Sequence, residues 1–256
     1  MMHGCFSNHL LKGSKMKKII VASTISLALF SQFAVANAIR GEVAAESNRT
    51  GPHLGILKGG YEFDTDYGQF GFDVEAKSRL GGRPYGENQH ESGLHEATFA
   101  ADYTYKFGNA YVQPRVEYTR NVANDANTGK FALKGGYNFD NGIFVAARYR
   151  YEGTQNNNSL NKAELGDVKT NRTDLTAGWA GDIVGVSFNY IHKDANAEHK
   201  NNNLKINELE TKVFLTNLGS YQPYVQYTQK NFDSSGYNSS PLKDDSQIKL
   251  GVSMKF

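Results

Sequence analysis

Apolar and polar residues alternate one by one through most of the chain, and the pattern is cleanest at its end. Over residues 246–256 (S-Q-I-K-L-G-V-S-M-K-F), Ile248, Leu250, Val252, Met254 and Phe256 form one set. Gln247, Lys249, Gly251, Ser253 and Lys255 form the other. Successive strand side chains point to opposite faces, so the segment predicts a ribbon with one apolar and one polar side. The same two-faced strand recurs upstream. Phe70, Phe72 and Val74 alternate with Gly71, Asp73 and Glu75, and Phe99, Ala101, Tyr103 and Tyr105 with Ala100, Asp102 and Thr104. Val112, Pro114, Val116 and Tyr118 stand opposite Gln113, Arg115, Glu117 and Thr119. Phe131, Leu133 and Tyr137 oppose Ala132, Lys134 and Gly136, and Val145, Ala147, Tyr149 and Tyr151 oppose Ala146, Arg148, Arg150 and Glu152. Leu175, Ala177 and Trp179 oppose Arg172, Asp174 and Thr176, and Val184, Val186, Phe188 and Tyr190 oppose Ser187 and Asn189. Around Lys212, Val213, Phe214 and Leu215 both faces read as apolar, and a first strand near Arg40–Ala45 carries only a weak pattern.

Turn signals punctuate these strands at two alternating lengths. Short Gly/Asn/Asp clusters at 64–68, 107–109, 140–142, 180–182 and 218–220 have the chemistry of hairpin turns. Longer polar stretches at 46–53, 81–92, 121–129, 154–169, 194–207 and 233–245 read as loops. These five turns and six loops join twelve strands. An even strand number, with short turns at one end and long loops at the other, predicts an all-β fold: a transmembrane antiparallel up-and-down β-barrel of the bacterial outer membrane, both termini on the periplasmic side. Aromatics beside the short turns (Tyr105, Phe107, Tyr137, Phe139, Tyr221, Phe256) sit where an interfacial girdle belongs. A soluble sandwich would alternate too, but its polar side would face bulk water and its strands would be shorter. Outward charge at mid-membrane depth costs roughly 2–4 kcal/mol.

Composition agrees once the N-terminus is set apart. A hydrophobic fraction of 39% and a mean hydropathy of −0.55 leave no material for helical spans beyond the start, whereas a barrel needs apolar residues only at alternate positions. Met16-Lys17-Lys18, the apolar run 19–30 and Ala36-Asn37-Ala38 form the three regions of a secretory signal, so residues 1–38 are expected to be a removed leader and 39–256 the barrel. Met16 makes a better start than Met1, so residues 1–15 are read as an over-extended beginning. Removing 1–38 takes four lysines and no acid, which turns the net charge from +2 to −2 and removes the main argument for a nucleic-acid partner. Cys5, the single cysteine, leaves with it, consistent with an oxidising compartment.

The inward faces carry an excess of cations: Arg115, Lys134, Arg148, Arg150, Arg172 and Lys249 are the candidate track, with Lys255, Lys58 and Lys230 as further members. A wet lumen carries charges in any case, so solvated side chains are the plainer reading. Arg148 and Arg150 sharpen it. Two residues apart on one face, they lie roughly 7 Å apart and repel by about 0.6 kcal/mol even in bulk water. A guanidinium also offers a planar fork that matches a carboxylate. Inward acids (Asp73, Glu117, Glu152, Asp174) dilute the field. A twelve-stranded lumen lies between side-chain-filled eight-stranded barrels and sixteen-stranded channels, and would pass a sugar chain in single file. An enzyme is less well supported. His90, Ser92 and His95 are the nearest approach to a catalytic cluster, and neither zinc-ligand spacing, a nucleophile elbow nor a phosphate loop is present. No cofactor and no metal are expected.

Three segments carry a family likeness: Ala146-Ala147-Arg148-Tyr149-Arg150-Tyr151, Pro223-Tyr224-Val225-Gln226-Tyr227 and Leu250-Gly251-Val252-Ser253-Met254-Lys255-Phe256. With the length of the expected mature chain, they resemble the oligogalacturonate-specific porins, a family that includes the sialic-acid-inducible channel. The likeness is clearest in the second half. It implies a monomeric twelve-stranded outer-membrane channel with lumenal arginines, surrounded by lipid and passing acidic sugars or oligosaccharides. It also implies that Arg148 and Arg150 belong to the substrate track and that Phe256 marks the last strand for the barrel assembly machinery. The alternatives are a general-diffusion porin without substrate preference, an outer-membrane hydrolase using His90 or His95, and an adhesin-like barrel whose loops bind a partner.

Overall fold

The computed structural model describes residues 38–49, 51–82, 93–233 and 245–256. They form twelve antiparallel strands: β1 (Ala38–Asn48), β2 (Pro52–Thr65), β3 (Gly68–Gly82), β4 (Gly93–Phe107), β5 (Ala110–Asn121), β6 (Ala126–Asn138), β7 (Ile143–Asn156), β8 (Val168–Ala180), β9 (Val184–Ala197), β10 (Lys200–Leu215), β11 (Tyr221–Asp233) and β12 (Asp245–Lys255). Each strand pairs with its sequence neighbours. The ring closes where β1 meets β12, from Arg40 opposite Lys255 to Asn48 opposite Gln247. Closure leaves no open edge, which a spanning sheet requires because lipid cannot satisfy a free N–H or C=O. Of the expected leader, only Ala38 lies among the described residues, as the first residue of β1.

The outward face is the apolar one. Phe72, Phe99, Val116, Phe131, Tyr149, Leu175, Phe188, Val225 and Leu250 are each about half exposed, as side chains facing lipid would be. Paired rings ring the barrel at the short-turn end: Phe70 with Tyr103 (centroids 4.6 Å apart), Tyr137 with Phe139 (4.8 Å) and Tyr221 with Phe256 (5.5 Å). At the other end outward tyrosines donate to asparagines on neighbouring strands. Tyr118 bonds Asn127 (3.0 Å), Tyr149 bonds Asn171 (2.8 Å) and Tyr190 bonds Asn207 (2.9 Å). The amphipathic phenol suits both ends of an apolar belt.

The two weak stretches resolve by side-chain size. At 212–215, Val213 and Leu215 face out, while Phe214 turns inward and is nearly buried against Ala44, Ile56 and Tyr224. Both faces are therefore apolar because the lumen wall here is apolar too. Its floor is cut away by glycine: a Cβ on Gly185 would lie 2.3 Å from the Phe214 ring, and one on Gly178 2.3 Å from the Phe144 ring. In β1, Ile39 and Val43 face out and Arg40, Glu42, Ala44 and Glu46 face in, so the pattern is present but its inward half is charged.

The loops depart from expectation. Three of the six expected long ones are tight connections of a few residues: 49–51, 122–125 and 198–199. The polar sequence there is strand. Asp194 stands opposite Lys205 and Asn196 opposite Asn203 in the ladder, and Lys193 reaches Glu208 at 2.8 Å. The ten strands β2–β11, of 12–16 residues, overshoot the roughly 9–11 needed to span, and past the belt both faces meet water, so alternation disappears while pairing continues. The 154–169 stretch shortens to 157–167 and holds a helix of about two turns, α1 (Ser159–Leu165), which alternation could not foretell. Most of the expected loops 81–92 and 233–245 lies outside the described residues.

Candidate functional site: the charged lumen

The inward faces of β1–β10 enclose a cavity of about 700 Å³. Ten basic side chains line it: Arg40, Lys58, Lys77, Arg115, Lys130, Lys134, Arg148, Arg150, Arg172 and Lys193. Six acids face them: Asp73, Glu75, Glu96, Asp102, Glu117 and Glu152. Glu62, Asp174 and Glu208 behind the wall pair with four of these cations, which brings the acids to nine and leaves a small positive excess. Inside a low-dielectric wall such an excess focuses its field along the axis and concentrates anions there.

On the β1–β5 side, cations and acids are tightly knit. Arg40 donates from Nη1 to Glu62 (2.7 Å), from Nε to Asp73 (2.6 Å) and from Nη2 to Asp102 (3.0 Å). Arg115 donates from Nη1 to Asp73 (2.8 Å) and Asp102 (2.6 Å) and from Nε to Glu117 (2.6 Å). Lys58 adds a longer contact to Asp73 (3.5 Å). Asp73 and Asp102 are nearly inaccessible, and a buried carboxylate demands such partners. These arginines serve the wall first.

On the β6–β9 side the cations outnumber their partners. Arg150 stands directly opposite Arg172 across the β7–β8 ladder, and Arg172 directly opposite Lys193 across β8–β9. Lys134 stands opposite Arg148. Like charges at directly opposed positions are unfavourable, and one deeply buried acid relieves them. Asp174, only 2% exposed, accepts from Arg172 Nε (2.6 Å) through one oxygen and from Arg148 Nε through the other. Both bonds use Nε, so the terminal Nη groups of Arg148 and Arg172 have no hydrogen-bond partner among the described residues. Arg150 is less satisfied still. Its Nε is buried without a hydrogen bond, lying 2.8 Å from Glu152 at an unfavourable angle, and its Nη1 is 3.6 Å from Glu117. Lys134 makes no ion pair among the described residues; its ammonium lies 5.5 Å from the Tyr111 ring centroid.

Of the six residues expected to form the track, Arg115, Lys134, Arg148, Arg150 and Arg172 share this one cavity. Lys249 does not. It points inward from β12, but bonds Glu42 at 2.5 Å beside Tyr224 and lies outside the cavity wall. Sequence reasoning missed Arg40, Lys77, Lys130 and Lys193, and left Lys58 at the margin. Lys77 carried the clearest signal, an inward position in a well-alternating strand; Lys130 and Lys193 bordered stretches read as loops. Phe256 sits at the rim, its N–H bonding Ile39 O and its carbonyl taking the Ile39 N–H, each at 2.9 Å. His90 and Ser92 lie outside the described residues; His95 accepts from Arg79 Nε at 3.3 Å.

Comparisons with known proteins follow the same geometry. A family model described as oligogalacturonate-specific porin protein (KdgM) matches residues 30–256. No curated protein matches the chain. Among solved structures, a KdgM porin in complex with disordered oligogalacturonate is 15% identical, covers 85% of this chain and 99% of its own, and superposes with a TM-score of 0.57. The NanC porin is 13% identical, covering 84% and 100%, with a TM-score of 0.59. The COG4313 outer membrane channel from Pseudomonas putida F1 is 12% identical, covering 88% and 97%, with a TM-score of 0.68. At such identities the likeness is one of fold.

Proposed function

The chain belongs to the oligogalacturonate-specific porin family, an outer-membrane channel for oligosaccharide uptake rather than an enzyme, and from that premise we propose that it takes up acidic oligosaccharides, recognised by their carboxylates. The observation that carries this reading is the unequal use of the lumenal cations. On β6–β9, Arg148 and Arg172 spend one N–H each on Asp174, and Arg150 and Lys134 make no hydrogen bond to an acid. A guanidinium has five donors in a fixed fork, and one left unsatisfied in a confined space favours a planar anion. Passage also requires release. The acids nearby, Glu117 and Glu152 within 4 Å of Arg150, compete with the ligand, and a chain of sugar acids can move from cation to cation without a deep trap.

The proposed recognition residues are Lys134, Arg148, Arg150 and Arg172. Arg115 is assigned to shaping the wall, and Lys249 to the ion pair with Glu42. The channel works as a monomer embedded in outer-membrane lipid, with the short-turn end and both termini facing the periplasm after removal of residues 1–38. Phe256 marks β12 for the assembly machinery. A chain lacking it should accumulate unassembled, and a normal yield of heat-modifiable barrel would reject that role.

Reversal potential in a salt gradient tests the reading. The wild-type channel should prefer anions, and the preference should shrink between about 0.1 M and about 1 M salt as the Debye length falls from about 10 Å to about 3 Å. A reversal potential near zero at low salt would leave a general-diffusion porin as the better description.

A further inference from the structure

A second cavity, of about 410 Å³, opens at the short-turn end beside Glu62, Gln222 and Lys255. It shares just two lining residues with the larger cavity above it, Arg40 and Lys58. We propose that Arg40, backed by Lys58, is the neck between two chambers in series and sets the conductance of the channel.

The way Arg40 is held supports this role. Its three donor nitrogens are taken by carboxylates from three different strands, Glu62 on β2, Asp73 on β3 and Asp102 on β4, at 2.6–3.0 Å. A side chain tied to β1 at its base and to β2, β3 and β4 at its tip bridges an arc of the wall instead of swinging with the solvent. The sequence clears the space for it. A Cβ on Gly71 would lie 2.6 Å from Arg40 Nη2 and 2.7 Å from a carboxylate oxygen of Asp102. Lys58 reaches the other Asp73 oxygen at 3.5 Å, so both neck cations lean on one acid. Since three of its five N–H donors are committed to acids that offset its charge, the Arg40 guanidinium limits width rather than capturing carboxylates. Its effect therefore shows in plain KCl, with no sugar present, and is independent of the substrate reading above.

Two single-channel experiments test it. Arg40→Gln should raise the conductance in KCl about twofold or more, with heat-modifiability showing that the barrel has assembled. Because that variant takes one partner from each of three buried acids, the second experiment leaves Arg40 in place. Lys58→Cys and, as control, Thr98→Cys, which lines the upper chamber alone, are made in a Cys5→Ser background and treated with a bulky methanethiosulfonate reagent. Modification at 58 should remove more than about half of the current and at 98 only a small part. An assembled Arg40→Gln channel of unchanged conductance would overturn the proposal. So would block at 58 no deeper than at 98, including where Arg40→Gln fails to assemble.

Discussion

Arg150 and Arg172 face each other as directly opposed residues of the β7–β8 ladder, two guanidinium-bearing side chains where a sheet ordinarily places complementary partners. Asp174 takes one hydrogen bond from Arg172 and one from Arg148 and none from Arg150. The three arginines thus form a positive strip with a single acid behind it. The arrangement costs stability and keeps N–H donors turned toward the lumen.

The unequal coordination of these arginines predicts unequal consequences. Arg150→Gln gives up the ion contacts to Glu152 and Glu117 but no well-formed hydrogen bond, so it should preserve assembly and should weaken block by an acidic sugar roughly tenfold or more, the worth of one charge-assisted pair. Arg148→Gln leaves Asp174 bonded to Arg172 and should weaken block less. Titrating the blocking sugar against both variants measures this, and equal losses would show that the Asp174 bond does not matter.

Asp174 should act on stability and selectivity in opposite directions. Asp174→Asn removes a negative charge from beside two guanidinium groups, so anion preference should rise. The pairs it breaks are buried on one side and lumen-facing on the other, so the barrel should lose about 1–3 kcal/mol, below the range for a fully buried pair. Urea midpoints of folding in detergent or lipid give the second quantity. A variant as stable as wild type would mean that the opposed cations are screened by water alone.

The aromatic wall at the short-turn end predicts a contrast among glycines. Gly185→Ala would push a methyl group to 2.3 Å from the Phe214 ring, whereas Gly153→Ala meets nothing within 4 Å. The first should destabilise by about 1–3 kcal/mol and the second by little. Similar midpoints for both would show that Phe214 can move out of its seat.

Side-chain direction on β7 is open to a labelling test. Val145 faces out and Ala146 in, and a slip by one residue would place Arg148 and Arg150 in hydrocarbon. Spin labels at Cys replacements should respond to oxygen at 145 and to a water-soluble quencher at 146. Matching accessibility at both sites would mean a different register.

The barrel was legible because its physics is local. Phe131 and Leu133 against Ala132 and Lys134 show alternation in four residues, and a one-residue slip is costly wherever one face meets lipid. Phe214 was illegible from its neighbours: an inward aromatic between outward Val213 and Leu215 makes sense only once Gly185, on another strand, is seen beneath it. The polar run from Asp194 to Asn207 read as a loop because it is strand beyond the apolar belt, where neither face has to be apolar. Among the site residues, sequence could place Arg148 and Arg150 on one face. It could not show that Arg115 is consumed by Asp73 and Asp102, since those partners lie on β3 and β4 and reach it only through the fold. The Lys249 pair with Glu42 was hidden for the same reason, Glu42 being brought to it by barrel closure.

Recognition of carboxylates by the cation strip is tested most directly by single-channel block with two sugars of equal length, one acidic and one neutral, at about 0.1 M salt. The acidic oligosaccharide should interrupt the current at a concentration at least roughly tenfold lower, and Arg150→Gln should erase most of that difference. Equal block by both sugars in the wild-type channel would contradict carboxylate recognition.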